Sequence, residues 1–143
     1  MLSAVQAEIV ARLEQLLPKT VRVLTTDDLM GVREDEMPTP CVHVIYQGGK
    51  VQESRRPDHR VARLADSWLI VVVVSAERRG DSTEAIETAT EHVDVIRPGL
   101  MGWRPPSANG PMELATPPAP AKTSACFYLP VAFIVETIVH ANR

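Results

Sequence analysis

The chain has 143 residues, of which 45% are hydrophobic and 23% charged, and its formal net charge is −3. A length of this order is what one domain takes, so residues 1–143 read as a single domain that needs no metal or disulfide staple. The apolar content excludes a disordered chain. The slight acidity excludes a protein whose whole surface grips nucleic acid, while leaving room for a local basic patch.

Leu2, Val5, Ile9, Leu13 and Leu16 recur at steps of three and four, which predicts a helix over residues 2–17 that Pro18 ends. Glu8, Arg12 and Glu14 interrupt any continuous apolar stretch there, so no secretory signal is expected. Residues 20–25 alternate as a short strand. Residues 26–40 are polar and acidic, with Gly31, Pro38 and Pro40, and read as a loop with a helical turn. Residues 41–47, rich in Val, Ile and Tyr, predict a strand, and Gly48-Gly49 suits a hairpin turn into a partner over 50–55. Residues 56–63, charged and containing Pro57, predict an exposed loop.

Residues 65–76 form the strongest strand. Leu69, Ile70 and four consecutive valines make it apolar on both faces, the mark of a central strand covered on both sides. Asp81 opens a second helix as an N-cap, with Glu84 reaching back in a capping box. Ile86, Ala89, Val93 and Ile96 give its buried stripe, and Pro98-Gly99 stops it. A weak strand over 112–115 and a long one over 125–139 close the chain. The apolar runs 68–74 and 125–139 are shorter than the ~20 residues that cross a bilayer, so no membrane partner is expected. Cys41 and Cys126 lie in apolar runs and are expected as buried free thiols of a reducing compartment.

This order predicts an α/β protein of the α+β kind, a single mixed or antiparallel β-sheet with two main helices packed on one face. Two helices cover only one side of the central strand. A folded-over hairpin or a neighbouring subunit is expected to cover the other.

No catalytic constellation emerges. Gly49-Lys50 matches the end of a phosphate loop, but Val44 stands where its first glycine belongs and Val51 where Ser or Thr belongs. There is no nucleophile elbow and no His-Glu-x-x-His. Cys41 and His43 share a strand face, with His59, His92 and His140 scattered elsewhere, short of the three or four ligands that zinc takes. Glu136, inside an apolar strand, is expected to point outward near its end. Aromatics at 4% provide no stacking platform for bases or sugars. The expectation is no enzyme, no cofactor and no metal.

Charge is segregated between two segments. Asp27, Asp28, Glu34, Asp35 and Glu36 stand against a lone Arg33, and Arg55, Arg56, Arg60 and Arg63 against a lone Asp58. Each alone is most simply a solvated loop. Together they are complementary patches suited to head-to-tail self-association, which closes into a ring when the rotation permits. Contact of the arginines with DNA phosphates is the alternative.

Several stretches resemble, in order along nearly the whole chain, the Mu-like phage tail terminator family, itself similar in architecture to the lambda tail terminator. They are Leu16-Leu17-Pro18 after the first helix, residues 42–49 (VHVIYQGG), and the valine-rich strand followed by a helix. Gly102-Trp103-Arg104-Pro105-Pro106 and Pro111-Met112-Glu113-Leu114 before the closing strand complete the match. The resemblance implies a non-enzymatic protein forming a hexameric ring on the head-proximal end of the tail tube. It would stop tube polymerisation and present a surface to head-completion or connector proteins. It also implies a place in the virion tail, with assembly in the host cytoplasm and possible non-specific DNA passage through the ring lumen. Trp103 is expected as a core plug beneath the second helix. Pro117-Pro118-Ala119-Pro120 departs from the pattern, as a protruding loop or interface arm. A head–tail connector or neck adaptor, and a small ligand-binding or enzymatic α/β domain, are the alternative readings.

Overall fold

The apolar stripe at the start of the chain folds as α1 (Leu2–Leu16), burying Val5, Ile9 and Leu13; the computed structural model describes residues 2–52, 58–76 and 83–142. Then follow β1 (Arg22–Thr25), a short helix α2 (Thr26–Leu29), a 3-10 turn (Glu34–Glu36), β2 (Cys41–Val51), β3 (Val61–Ser75) and α3 (Thr83–Leu100). β4 (Glu113–Ala115), β5 (Ala121–Lys122) and β6 (Cys126–His140) complete the order. The strands form one mixed sheet in the order β1-β2-β3-β6-β4, with β5 also on β6. β1 runs parallel to β2, and the other pairings are antiparallel. This is the α+β arrangement that the alternation of elements predicts.

β3 lies in the middle of the sheet, and its valines divide between the two faces. Val72 and Val74 join Trp68, Ile70 and Phe133 under α1 and α3, where Ile9, Leu13, Val93 and Ile96 meet them. Val71 and Val73 point the other way, into a second cluster with Leu24, Cys41, Leu69, Cys126 and Ala132.

The second face is covered by the chain itself, not by the hairpin or neighbour expected from sequence. Leu29 and Met37, from the segment between β1 and β2, pack on that cluster beside Ala115 and Tyr128. The cause is topological. Because β1 is parallel to β2, the chain must travel back along the ladder before β2 can start, and it crosses the open face on the way.

Three boundaries differ from the sequence reading. Gly48-Gly49 is not a hairpin turn: β2 runs through it to Val51, with a bulge between Tyr46 and Gly48. Gly48 takes the positive φ of 109° at that irregularity. Gly49 lies so close to β3 that an added Cβ would stand 2.5 Å from Asp66 Oδ1. Next, β3 begins at Val61, so Arg63 belongs to a strand and not to the predicted loop, because 61–64 find partners in Thr137–His140 of β6. Finally, α3 continues through Pro98-Gly99 to Leu100. Pro98 near the helix end forfeits only its own backbone bond, and the stop falls at Gly102 with its φ of 81°. Along α3 the inward face is Ala85, Ala89, Val93, Ile96 and Leu100, which leaves Ile86 45% exposed instead of buried. The expected cap at Asp81 lies outside the described residues.

Pro130 explains why the far edge of β6 is broken. It stands between the residues paired with β5 (Phe127 and Tyr128) and those paired with β4 (Ala132 to Ile134). A proline has no N–H for a ladder, so it fits where no strand lies opposite. The exposed segment 116–120, with its three prolines, spans that gap.

Val72, with no exposed surface, should not tolerate a charge. Val72→Asp is expected to abolish cooperative unfolding, because a buried unpaired carboxylate costs several kcal/mol, about the stability of a small domain. Gly49→Ala should fold with stability lower by about 1–3 kcal/mol, since the methyl group displaces the Asp66 carboxylate from its bond with the Tyr46 hydroxyl. Denaturant titration followed by circular dichroism reads both.

Candidate functional site

The acidic segment is anchored at both of its turns. At α2, the Thr25 backbone N–H and hydroxyl both donate to Asp28 Oδ2, at 2.8 and 3.1 Å, while Asp27 stays exposed. At the 3-10 turn, Arg33 Nε meets Asp35 at 3.5 Å and Glu36 at 3.1 Å on an open surface. Glu34 turns the other way and accepts from the Tyr128 hydroxyl at 2.7 Å and from the Thr123 hydroxyl. These bonds, that from Thr123 foremost, hold the Glu34 carboxyl below its ordinary pKa. Burial, then the bond to Glu34, pushes the Tyr128 hydroxyl well above the usual tyrosine value. Glu34 thus staples the crossing segment to β6.

At the arginine end, Arg63 projects from β3 and bonds Glu136 at 2.7 Å, both side chains partly in water. Glu136 therefore points outward, as its place near a strand end suggests. Arg60 is exposed; its backbone N–H donates to Asp58 at 3.2 Å and its guanidinium to the Asn142 carbonyl at 3.3 Å. Arg55 and Arg56 lie outside the described residues.

The sheet register separates the two groups. Tyr128, which holds Glu34, is opposite Val73, and Arg63 lies ten residues earlier in β3. At about 3.3 Å per residue that is roughly 33 Å along the strand. Among the described residues, no acid of the 27–36 segment pairs with an arginine of the 60–63 segment.

Of two polar clusters inside the sheet, the one around Asp66 escaped sequence reasoning, while the Cys41–His43 pair on one strand face was legible in it. Asp66, 4% exposed, accepts from the Tyr46 hydroxyl at 3.1 Å and the Thr137 hydroxyl at 2.7 Å, tying β2, β3 and β6 together. The only sequence signal was a lone acid in an apolar strand. On the opposite face the Cys41 sulfur lies 3.4 Å from His43 Nε2. Burial pushes the Cys41 thiol up to about 12 and His43 down, so neither carries a charge near neutrality. Both cysteines are buried thiols.

Among the described residues, no group of three His, Cys, Asp or Glu could hold a metal, and no helix is long and apolar enough to cross a membrane. A cleft of about 360 Å³ beside the first turn of α3 is lined by Thr39, Ser75, Glu84 and Thr88 among others, with Glu84 the carboxylate among the described residues that line it. Trp103 is half buried against the core, with the Arg12 guanidinium 5.5 Å from its ring centre and also bonded to the Gly99 carbonyl.

A mixed sheet backed by two helices on one face, with charged groups at its surface, is the frame of a small α+β domain. A solved structure of 14% sequence identity shares this fold with a TM-score of 0.50, over 96% of this chain and 98% of its own. No curated protein matches this chain. The family model described as phage tail terminator protein matches residues 2–143, and the chain belongs to that family. It is a non-enzymatic component of the virion tail that terminates the tail tube and enables joining of the head, so tube and head are its partners.

Glu34 generates a pH prediction. Its folded pKa lies below the ordinary 4.5, so its stabilising effect is complete above that value and is lost as pH falls through the folded one. Glu34→Gln should lower the denaturation midpoint at neutral pH. It should also flatten the loss of stability on acidification below pH 4.5 relative to wild type. Parallel midpoints for the two proteins across the acid range would refute the staple.

Proposed function

We propose that this terminator is of the Mu-like type and acts as a hexameric ring on the head-proximal end of the tail tube. The ring closes on a contact between the arginine end of one subunit and the acidic segment of the next. The observation that supports this reading is the separation along one sheet of Glu34, held at Tyr128, from the described arginines Arg60 and Arg63. Among the described residues these groups do not pair within the chain, and successive copies placed head to tail bring them together. Such a closed ring has two distinct faces, one to cap the tube and one to receive the head-completion protein.

Of the nine charged residues, those with strong partners inside the chain are Asp28, Glu34 and Arg63. Asp27, Asp35, Glu36 and Arg60, joined by Arg55 and Arg56 from outside the described residues, supply the charge between subunits. The exposed Arg33 pairs are weak, worth about 0–1 kcal/mol in water, so exchanging them for a partner across the interface costs little.

Reversing Arg56 and Arg60 to Glu should weaken the ring through like-charge repulsion and give over-long tails. Adding Asp35→Lys and Glu36→Lys should restore it at least in part. Native mass spectrometry gives the oligomer, and electron microscopy the tail lengths. Intact rings with impaired DNA passage would instead assign the arginines to the lumen. Normal assembly and normal tails in the Arg56/Arg60 reversal would overturn both.

A further inference from the structure

We infer that residues 26–40 are a strap that lifts from the sheet as a unit while the strands beneath it stay paired, and that Glu34 is its latch. The device belongs to a single copy of the chain and does not depend on the ring.

The strap is slack. The β1–β2 ladder joins Thr25 to Val44 and Arg22 to Cys41, so the ends of the strap are three residues apart along it, roughly 10 Å. Residues 26–40 would span roughly 50 Å if extended. The surplus is taken up in α2 and the 3-10 turn, so the segment can move off without breaking a ladder bond. The Arg22 N–H, donating to the Pro40 carbonyl at 3.4 Å, marks where the slack chain ends and the sheet begins.

It is also lightly held. None of residues 26–40 is buried. The N–H groups of Met30, Val32, Glu36 and Met37 donate to carbonyls three positions back, so these backbone bonds travel with the segment. The bonds of Asp28 with Thr25, and of Arg33 with Asp35 and Glu36, are equally local. Among the described residues, Glu34 alone carries side-chain bonds from the strap to a distant element. It accepts from the Tyr128 hydroxyl, 94 positions on, at 2.7 Å, and from the Thr123 hydroxyl. Leu29 and Met37 are the apolar anchors that remain. A segment with few buried groups and local bonds opens at a fraction of the free energy of global unfolding.

The surface beneath is of a different kind. Cys41, Val71, Val73, Cys126 and Ala132 belong to the covered cluster, each at most 7% exposed. Val71 and Val73 are paired on both sides, to β2 and to β6, so they do not follow the strap when it lifts. Closed, this face shows Asp27, Asp35 and Glu36 to water; open, it shows an apolar sheet. The fold thus carries a surface with two states, and the Glu34 carboxylate biases it to the closed one.

The native thiols report the opening, because both lie in the covered cluster. The intact protein is treated with a small maleimide across urea concentrations below the unfolding transition, and labelling of Cys41 is followed by peptide mass spectrometry. The expected rate is nearly independent of urea there, since lifting the strap uncovers little surface compared with unfolding. Hydrogen exchange should show the amides of Val71, Val72 and Val73 still protected under the same conditions. Glu34→Ala should raise the rate about tenfold or more, because two bonds to a charged group are lost. Val93→Ala, which loosens the helix side of the core, should lower the unfolding midpoint and leave that rate unchanged. A rate that climbs with urea from the outset, in step with global unfolding, overturns the inference. So does an unchanged rate in Glu34→Ala, or an equal rise in Val93→Ala.

Discussion

From Trp68 to Val74, β3 has to be kept from water on both sides, and the rest of the molecule is arranged around that requirement. Seven consecutive residues are buried there, three of them packing away from the helices. A strand of this kind cannot stand at an edge, so β2 and β6 flank it over long ladders. The two main helices need only one face of the sheet. The other is closed by the segment between β1 and β2, whose regular structure is one short helix and a 3-10 turn. Its apolar content is low, with Leu29 and Met37 the inward residues, so packing alone holds it weakly. Glu34 compensates by accepting two hydroxyl bonds from the region of β6 that it crosses.

The Asp66 cluster divides the sheet into two parts with different tasks. On the side towards Val74 the helices sit on an apolar surface. At Asp66 a buried carboxylate accepts from both neighbouring strands, so that β2, β3 and β6 are tied where helix cover ends. A buried carboxylate without such partners would be costly, and Gly49 leaves the room it needs by having no side chain. Beyond this tie the three strands continue as a stiff extension, with an apolar side and a charged side.

Charge follows the same division. The acids lie where chain crosses the sheet, and Arg60 and Arg63 lie at the far end of the extension. A mixed distribution would have let them pair within one subunit. Among the described residues, the acids of the crossing segment and the arginines of the extension do not pair with one another within the chain.

The helices and the central strand were legible in the sequence because periodicity is a local property. Steps of three and four over residues 2–17, and an unbroken apolar run over 69–74, leave few alternatives. The absence of a catalytic signature and the two charge groups could be read in the same way. What the sequence could not decide was wherever two distant segments had to meet. Gly48-Gly49 has the composition of a turn, but β3 pairs straight past it, and the second glycine answers to Asp66 seventeen residues on. Glu34 looked like one solvated acid among five until Tyr128, 94 positions away, was placed against it. The cover of the second face and the limit of the helix layer at Asp66 likewise depend on which strands are neighbours. That is set by summed burial across the whole sheet, so no local stretch of residues carries it, and only the tertiary structure decided it.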